Sequence, residues 1–76
     1  MGDQKTVQVQ IVSEESGDLT YKEKQAGEED WVEIKLPGLF VDSDHAAFYQ
    51  KVALRLAEHA KNGVVVESYE DRGPAL

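Results

Sequence analysis

Residues 42–63 read DSDHAAFYQKVALRLAEHAKNG, and no other stretch combines so clear a local pattern with both a start and a stop signal. At 100° per residue seven of its side chains form one mainly apolar arc of about 140°, the width with which an amphipathic helix covers a sheet. The arc contains His45, Phe48, Tyr49, Val52, Ala53, Leu56 and Ala60. We therefore predict one amphipathic helix over this stretch.

Both ends of the predicted helix have recognisable signals. Asp42 or Asp44 can accept hydrogen bonds from the free amides of the first turn. Asn62-Gly63 supplies the left-handed residue at which helices commonly end. Leu54 lies outside the apolar arc. It is either an ordinary exposed leucine or part of a shallow second stripe for a partner.

Three segments before the helix alternate between apolar and polar residues, the pattern of half-buried strands. They are residues 7–12, 19–24 and 31–36, and polar turns at 13–18 and 25–30 separate them. Pro37-Gly38 ends the third strand because proline cannot donate to a strand ladder. A fourth strand is predicted over residues 64–69.

The predicted order β-β-β-α-β indicates an α+β fold, a four-stranded mainly antiparallel sheet with one helix packed on one face. The last strand lies either beside the third strand or at the other edge, beside the first. We expect one domain over residues 6–70, with flexible tails at 1–5 and 71–76.

Length and charge limit the class of protein. The chain has 76 residues, no cysteine and a net charge of −7. A single core of this size supplies roughly 3–5 kcal/mol, so a homodimer that shares core surface would add stability. The negative charge argues against direct nucleic-acid binding and favours a basic protein partner.

Since no apolar run is long enough to cross a bilayer or resembles a secretion segment, we expect no membrane association and a cytoplasmic location.

Acidic residues are concentrated in one part of the chain. Eight carboxylates lie between Glu14 and Glu33, against Lys22 and Lys24. Those expected in turns form a predicted acidic loop surface that steers a basic partner: Glu14, Glu15, Asp18, Glu28, Glu29 and Asp30. Glu23 and Glu33 fall within predicted strands.

The residues best suited to catalysis or metal binding do not converge. His45 and His59 are 14 residues apart on the helix, which separates them by about 21 Å. They therefore cannot share one active site, and His59 is explained by its position at the helix carboxyl end. Asp42-Ser43-Asp44 resembles the start of a calcium loop but lacks the later glycine and glutamate. We predict no catalytic residue, no metal and no cofactor.

The sheet face opposite the helix is the main candidate for function. By alternation it contains Gln8, Gln10, Val12, Thr20, Lys22, Trp31, Glu33 and Lys35, together with either Val65, Glu67 and Tyr69 or the complementary set of the last strand. Trp31 is the large apolar residue there. It is either the centre of a binding surface or folds over the sheet edge to complete the core.

These features predict a small non-enzymatic protein-binding module, such as a regulator, inhibitor or accessory subunit. The predicted docking residues are Trp31, Glu33, Lys35, Val12 and Tyr69. One alternative is an inhibitor that mimics nucleic acid and occupies a basic nucleic-acid-binding enzyme through its acidic loops. A small enzyme is the third hypothesis, and it lacks a convergent acid, base and nucleophile.

Overall fold

The computed structural model describes residues 5–38 and 44–72. The elements follow the predicted order and are β1 Thr6–Ser13, β2 Leu19–Gln25, β3 Val32–Glu33, α1 His45–Lys61 and β4 Val65–Arg72. One helix packs against a four-stranded mixed sheet, which confirms the α+β prediction.

The strands lie in the order β3-β2-β1-β4. β1 pairs antiparallel with β2, β2 pairs antiparallel with β3, and β4 runs parallel to β1. Of the two positions left open for the last strand, the structure shows the one beside the first strand. The helix, about 25 Å long, takes the chain from one edge of the sheet to the other, as a parallel connection requires.

The core lies between the helix and the sheet face that the helix covers. Its buried members are Val7, Val9, Ile11, Leu19, Tyr21, Leu36, Phe48 and Val52. The alternation predicted for the first two strands is thus confirmed.

Ala53 and Ala60, at the border of the predicted helical arc, are exposed. A methyl side chain at the border of the arc is too short to reach the sheet.

Both helix ends follow the sequence signals. Asp44 caps the helix, and its Oδ1 accepts from the backbone N–H of Ala47 at 3.2 Å. Asp42, the other candidate cap, lies outside the described residues. At the far end the backbone N–H of Asn62 donates to Glu58 O at 3.0 Å. Gly63 follows with φ of 76°, a value that favours glycine.

The third strand is shorter than predicted. β3 contains only Val32 and Glu33, and the backbone N–H of Ile34 makes one further bond to Tyr21 O at 2.9 Å. Leu36 is buried in the core although it lies outside the strand. The chain therefore leaves the ladder to bring Leu36 into the core, and Val32 stays 56% exposed at the sheet edge.

The fourth strand is longer than predicted. Residues 70–72 belong to β4, and Asp71 and Arg72 pair with Ile11 and Val12. Asp71 and Arg72 were expected in a flexible tail, but ladder bonds use only backbone groups, so polar residues can extend a strand. At the other end of the sheet, Lys5 O accepts from the backbone N–H of Val65 at 2.8 Å. The predicted tail residues 1–4 and 73–76 lie outside the described residues.

A bulge in β4 changes which residues face the helix. Val66 pairs with Val7, but Ser68 pairs with Gln8, so Glu67 is the extra residue. Tyr69 then pairs with Val9, a buried residue on the helix side of the sheet. Because paired residues share a face, Tyr69 faces the helix side, which corrects its assignment to the docking surface.

Candidate functional site

The sheet face opposite α1 is called the open face below, because no element within residues 5–38 and 44–72 covers it. Its register rows are polar: Lys24, Gln8 and Ser68 form one row, and Glu33, Lys22, Gln10 and Glu70 form the next. Val12 lies in a third row between Thr20 and Arg72. A solvated antiparallel face commonly has this polar character.

Trp31 lies on the open face next to β3. The Nζ of Lys24 is 5.4 Å from the centroid of its ring, a cation–π distance worth about 0.5–1 kcal/mol at an exposed site. Trp31 is half-buried and is not a member of the buried core. The indole is therefore partly shielded by a neighbouring lysine rather than by the helix.

The other predicted docking residues are spread out. Glu33 shares the open face with Trp31, and its Oε2 lies 3.2 Å from Lys35 Nζ. Val12 lies two strands away and about four residues along, which separates it from Trp31 by about 10 Å across the strands and about 13 Å along them. The structure therefore brings Trp31 and Glu33 together, places Val12 at a distance and leaves Tyr69 on the other side.

The predicted acidic surface is divided in space. One group of carboxylates lies in the turn between β1 and β2, and the other lies in the turn between β2 and β3. These turns are at opposite ends of β2, a strand of seven residues and hence about 23 Å long. Within the first group, Glu14 Oε1 accepts from Thr20 Oγ1 at 3.1 Å. The two acidic groups therefore border the sheet at opposite ends.

A buried carboxylate cluster lies on the helix side, and the sequence reasoning did not identify it. Glu23 is only 8% exposed. Its carboxylate accepts from Tyr21 OH at 2.6 Å, from Arg55 Nε at 2.9 Å and from Arg55 Nη2 at 3.0 Å. His59 Nε2 lies 2.7 Å from Glu23 Oε2. We call these four residues the Glu23 cluster.

The contacts of the Glu23 cluster determine its charge state. Burial raises the pKa of Glu23, but hydrogen bonds from Arg55, Tyr21 and His59 outweigh burial and lower the pKa to about 2. Burial, reinforced by the bond to Glu23, raises the pKa of Tyr21 above its ordinary value. The bond to Glu23 also raises the pKa of Arg55. Near neutral pH the cluster thus contains an ionised carboxylate, a guanidinium and a neutral phenol.

Two sequence signals could have indicated the cluster. Glu23 continues the alternation of Leu19 and Tyr21, so it belongs on the buried face of β2. Arg55 and His59 are four residues apart and therefore share one side of the helix. The explanation of His59 by the helix carboxyl end alone was incomplete, because its ring contacts Glu23. His45 has a different neighbour, with its Nε2 2.8 Å from Gly17 O.

Neither a metal-binding cluster nor a membrane-spanning helix occurs in the described part of the chain. No group of three or more His, Cys, Asp or Glu side chains there is placed to hold a metal ion. No helix there is long and apolar enough to cross a bilayer. No family model, curated protein or solved structure matches the chain.

Proposed function

We propose that this protein is a non-enzymatic protein-binding module that docks through the open face around Trp31. The supporting observation is a half-buried tryptophan on a sheet face that no element of residues 5–38 and 44–72 covers. Tryptophan is enriched among residues that dominate binding energy, and the polar rows beside it suit the rim of an interface. Docking would bury the rest of the indole.

The charge distribution supports a basic partner. Charged residues on and beside the open face pair with one another, Glu33 with Lys35 and Glu70 with Arg72. The acidic groups in the two turns are exposed apart from Asp18, which is half-buried. They border the face at both ends, so they attract a basic surface towards it while the face itself provides the contacts. Such steering mainly raises the association rate.

Nucleic-acid mimicry is the alternative function, and the positions of the carboxylates favour it less. A mimic presents its negative charges as one array that replaces a run of phosphates. Here the two acidic groups are separated by the length of β2, and between them the open face has Lys22 and Lys24. Their separation supports a role in steering more than a role in replacing a nucleic-acid backbone.

The proposal is tested with Trp31→Ala and a matched control, Leu54→Ala. Leu54 is 59% exposed on α1, so its truncation removes apolar surface away from the open face. Affinity capture from the source lysate, with quantitative mass spectrometry, should recover the same protein partner with wild type and Leu54→Ala. Trp31→Ala should lose that partner.

Circular dichroism and urea unfolding are recorded on both variants. The expected result is a Trp31→Ala variant with wild-type secondary structure and no partner. Retention of the partner by folded Trp31→Ala would refute the proposed site. An unfolded Trp31→Ala variant would mean that the indole stabilises the fold, and it would remove the basis of the proposal.

A further inference from the structure

A cleft of about 450 Å³ lies on the helix side of the sheet, beside the Glu23 cluster. It opens between the start of β1, the end of β2 and the last turns of α1. Its cationic lining residues are Lys5, Arg55 and His59, the last when protonated. Its apolar lining residues are Val7, Ala26 and Val64. Of the described residues that line it, Glu23 is the only carboxylate.

Glu23 holds Arg55 in place but accepts from only some of its N–H groups. A guanidinium has five N–H groups, and Glu23 accepts from two of its nitrogens, Nε and Nη2. Three N–H groups are therefore not used by Glu23, and the side chain is 33% exposed. The bidentate pair fixes the plane of the guanidinium, so little further side-chain entropy is lost when it binds a ligand.

Glu23 does not compete strongly with an incoming anion. Its oxygens already accept from Tyr21 and Arg55 and contact His59, so the Glu23–Arg55 pair is neutral as a unit and Lys5 supplies the positive charge of the cleft. The net charge of −7 opposes an anion at long range. At physiological ionic strength that repulsion is screened beyond about 8 Å, so the side chains that line the cleft dominate.

We propose that this cleft binds a small organic carboxylate. The carboxylate group would accept from Arg55 and Lys5, and from His59 when its ring is protonated. The organic part would pack against Val7, Ala26 and Val64. The volume lies in the range of small-molecule sites, which combine apolar walls with a few convergent polar groups. The site is independent of the docking proposal, because it lies on the opposite side of the sheet.

Amide chemical shifts of the full chain test this inference. The probes are sodium benzoate, sodium acetate and inorganic phosphate, titrated at constant ionic strength with sodium chloride as the reference. The expected result is saturable shifts around Lys5, Ala26 and Val64 with both carboxylates. Benzoate should bind more tightly than acetate because its ring contacts the apolar wall, and phosphate should bind more weakly than either.

Lys5→Gln is the test variant and Lys61→Gln is its matched control. Both lysines are exposed and both substitutions remove one positive charge, but Lys61 does not line the cleft. Lys5→Gln should weaken benzoate binding about twofold to fivefold, while Lys61→Gln should leave it nearly unchanged.

Three results would overturn the inference. The first is the absence of saturable shifts with both carboxylates. The second is an equal loss of affinity in the two lysine variants, which would indicate a general charge effect. The third is tighter binding of phosphate than of benzoate, which would reject the carboxylate assignment. These readouts do not involve Trp31, so they are independent of the docking test.

Discussion

His59 Nε2 lies 2.7 Å from Glu23 Oε2, so the last turns of α1 are joined to the buried side of β2 through a carboxylate. Arg55, one helical turn earlier, forms a bidentate pair with the same group. A buried charge is costly to desolvate, and it is tolerated when its partners satisfy it. The Glu23 cluster therefore fixes how the helix sits on the sheet, in addition to the contacts of Phe48 and Val52.

Replacing Glu23 with glutamine should destabilise the fold. Glu23→Gln removes the negative charge and leaves the partly buried Arg55 without its counter-ion. Loss of one partner of a buried pair costs about 3–5 kcal/mol, and the partial exposure of Arg55 reduces the expected cost to about 2–3 kcal/mol. Urea unfolding at neutral pH measures this free energy.

Glu33→Gln is the matched control, because Glu33 makes an exposed ion pair with Lys35. Its substitution should change the free energy of unfolding by no more than about 0.5 kcal/mol. Equal small changes in both variants would show that the Glu23 cluster does not stabilise the fold.

Stability should also depend on pH through Glu23. The pKa of its carboxyl is lowered from 4.5 to about 2 in the folded protein. A lowered pKa stabilises the fold above the unfolded value, and that contribution is lost as pH falls from about 4.5 to about 2. The difference corresponds to about 3 kcal/mol in total.

The measurement is urea unfolding of wild type and Glu23→Gln between pH 7 and pH 2. Wild type should lose stability more steeply below pH 4.5, and the two stabilities should approach one another near pH 2. The other carboxylates titrate in both proteins, so they affect both curves alike. Parallel curves throughout would contradict the low pKa of Glu23.

Charge reversal in the turns distinguishes steering from mimicry. Glu28, Glu29 and Asp30 are changed together to lysine in one variant, and a second variant reverses Glu14, Glu15 and Asp18 at the other end of β2. If the carboxylates steer a basic partner, each triple variant should lower the association rate, with a smaller change in the dissociation rate. Stopped-flow or surface-based kinetics with the captured partner measures both rates. Complete loss of binding in either variant would favour nucleic-acid mimicry.

Local pattern predicted much of the fold but little of the candidate sites. The periodicity and caps of the helix, and the alternation of Val7, Val9 and Ile11, are contained in adjacent residues and were interpreted correctly. The bulge at Glu67 was not, because it depends on the pairing of β4 with β1. A one-residue insertion reverses the alternation, which is why Tyr69 was assigned to the wrong face.

The α+β class, the ends of the helix and the inward faces of β1 and β2 follow from local sequence patterns, because caps and periodicity act over a few neighbouring residues. Local patterns did not specify the position of β4 beside β1, the half-buried state of Trp31 or the convergence of Arg55 and His59 on Glu23. These features join residues that are distant along the chain, Glu23 and His59 being 36 positions apart. Their proximity is set by how the helix packs on the sheet, which no local pattern records.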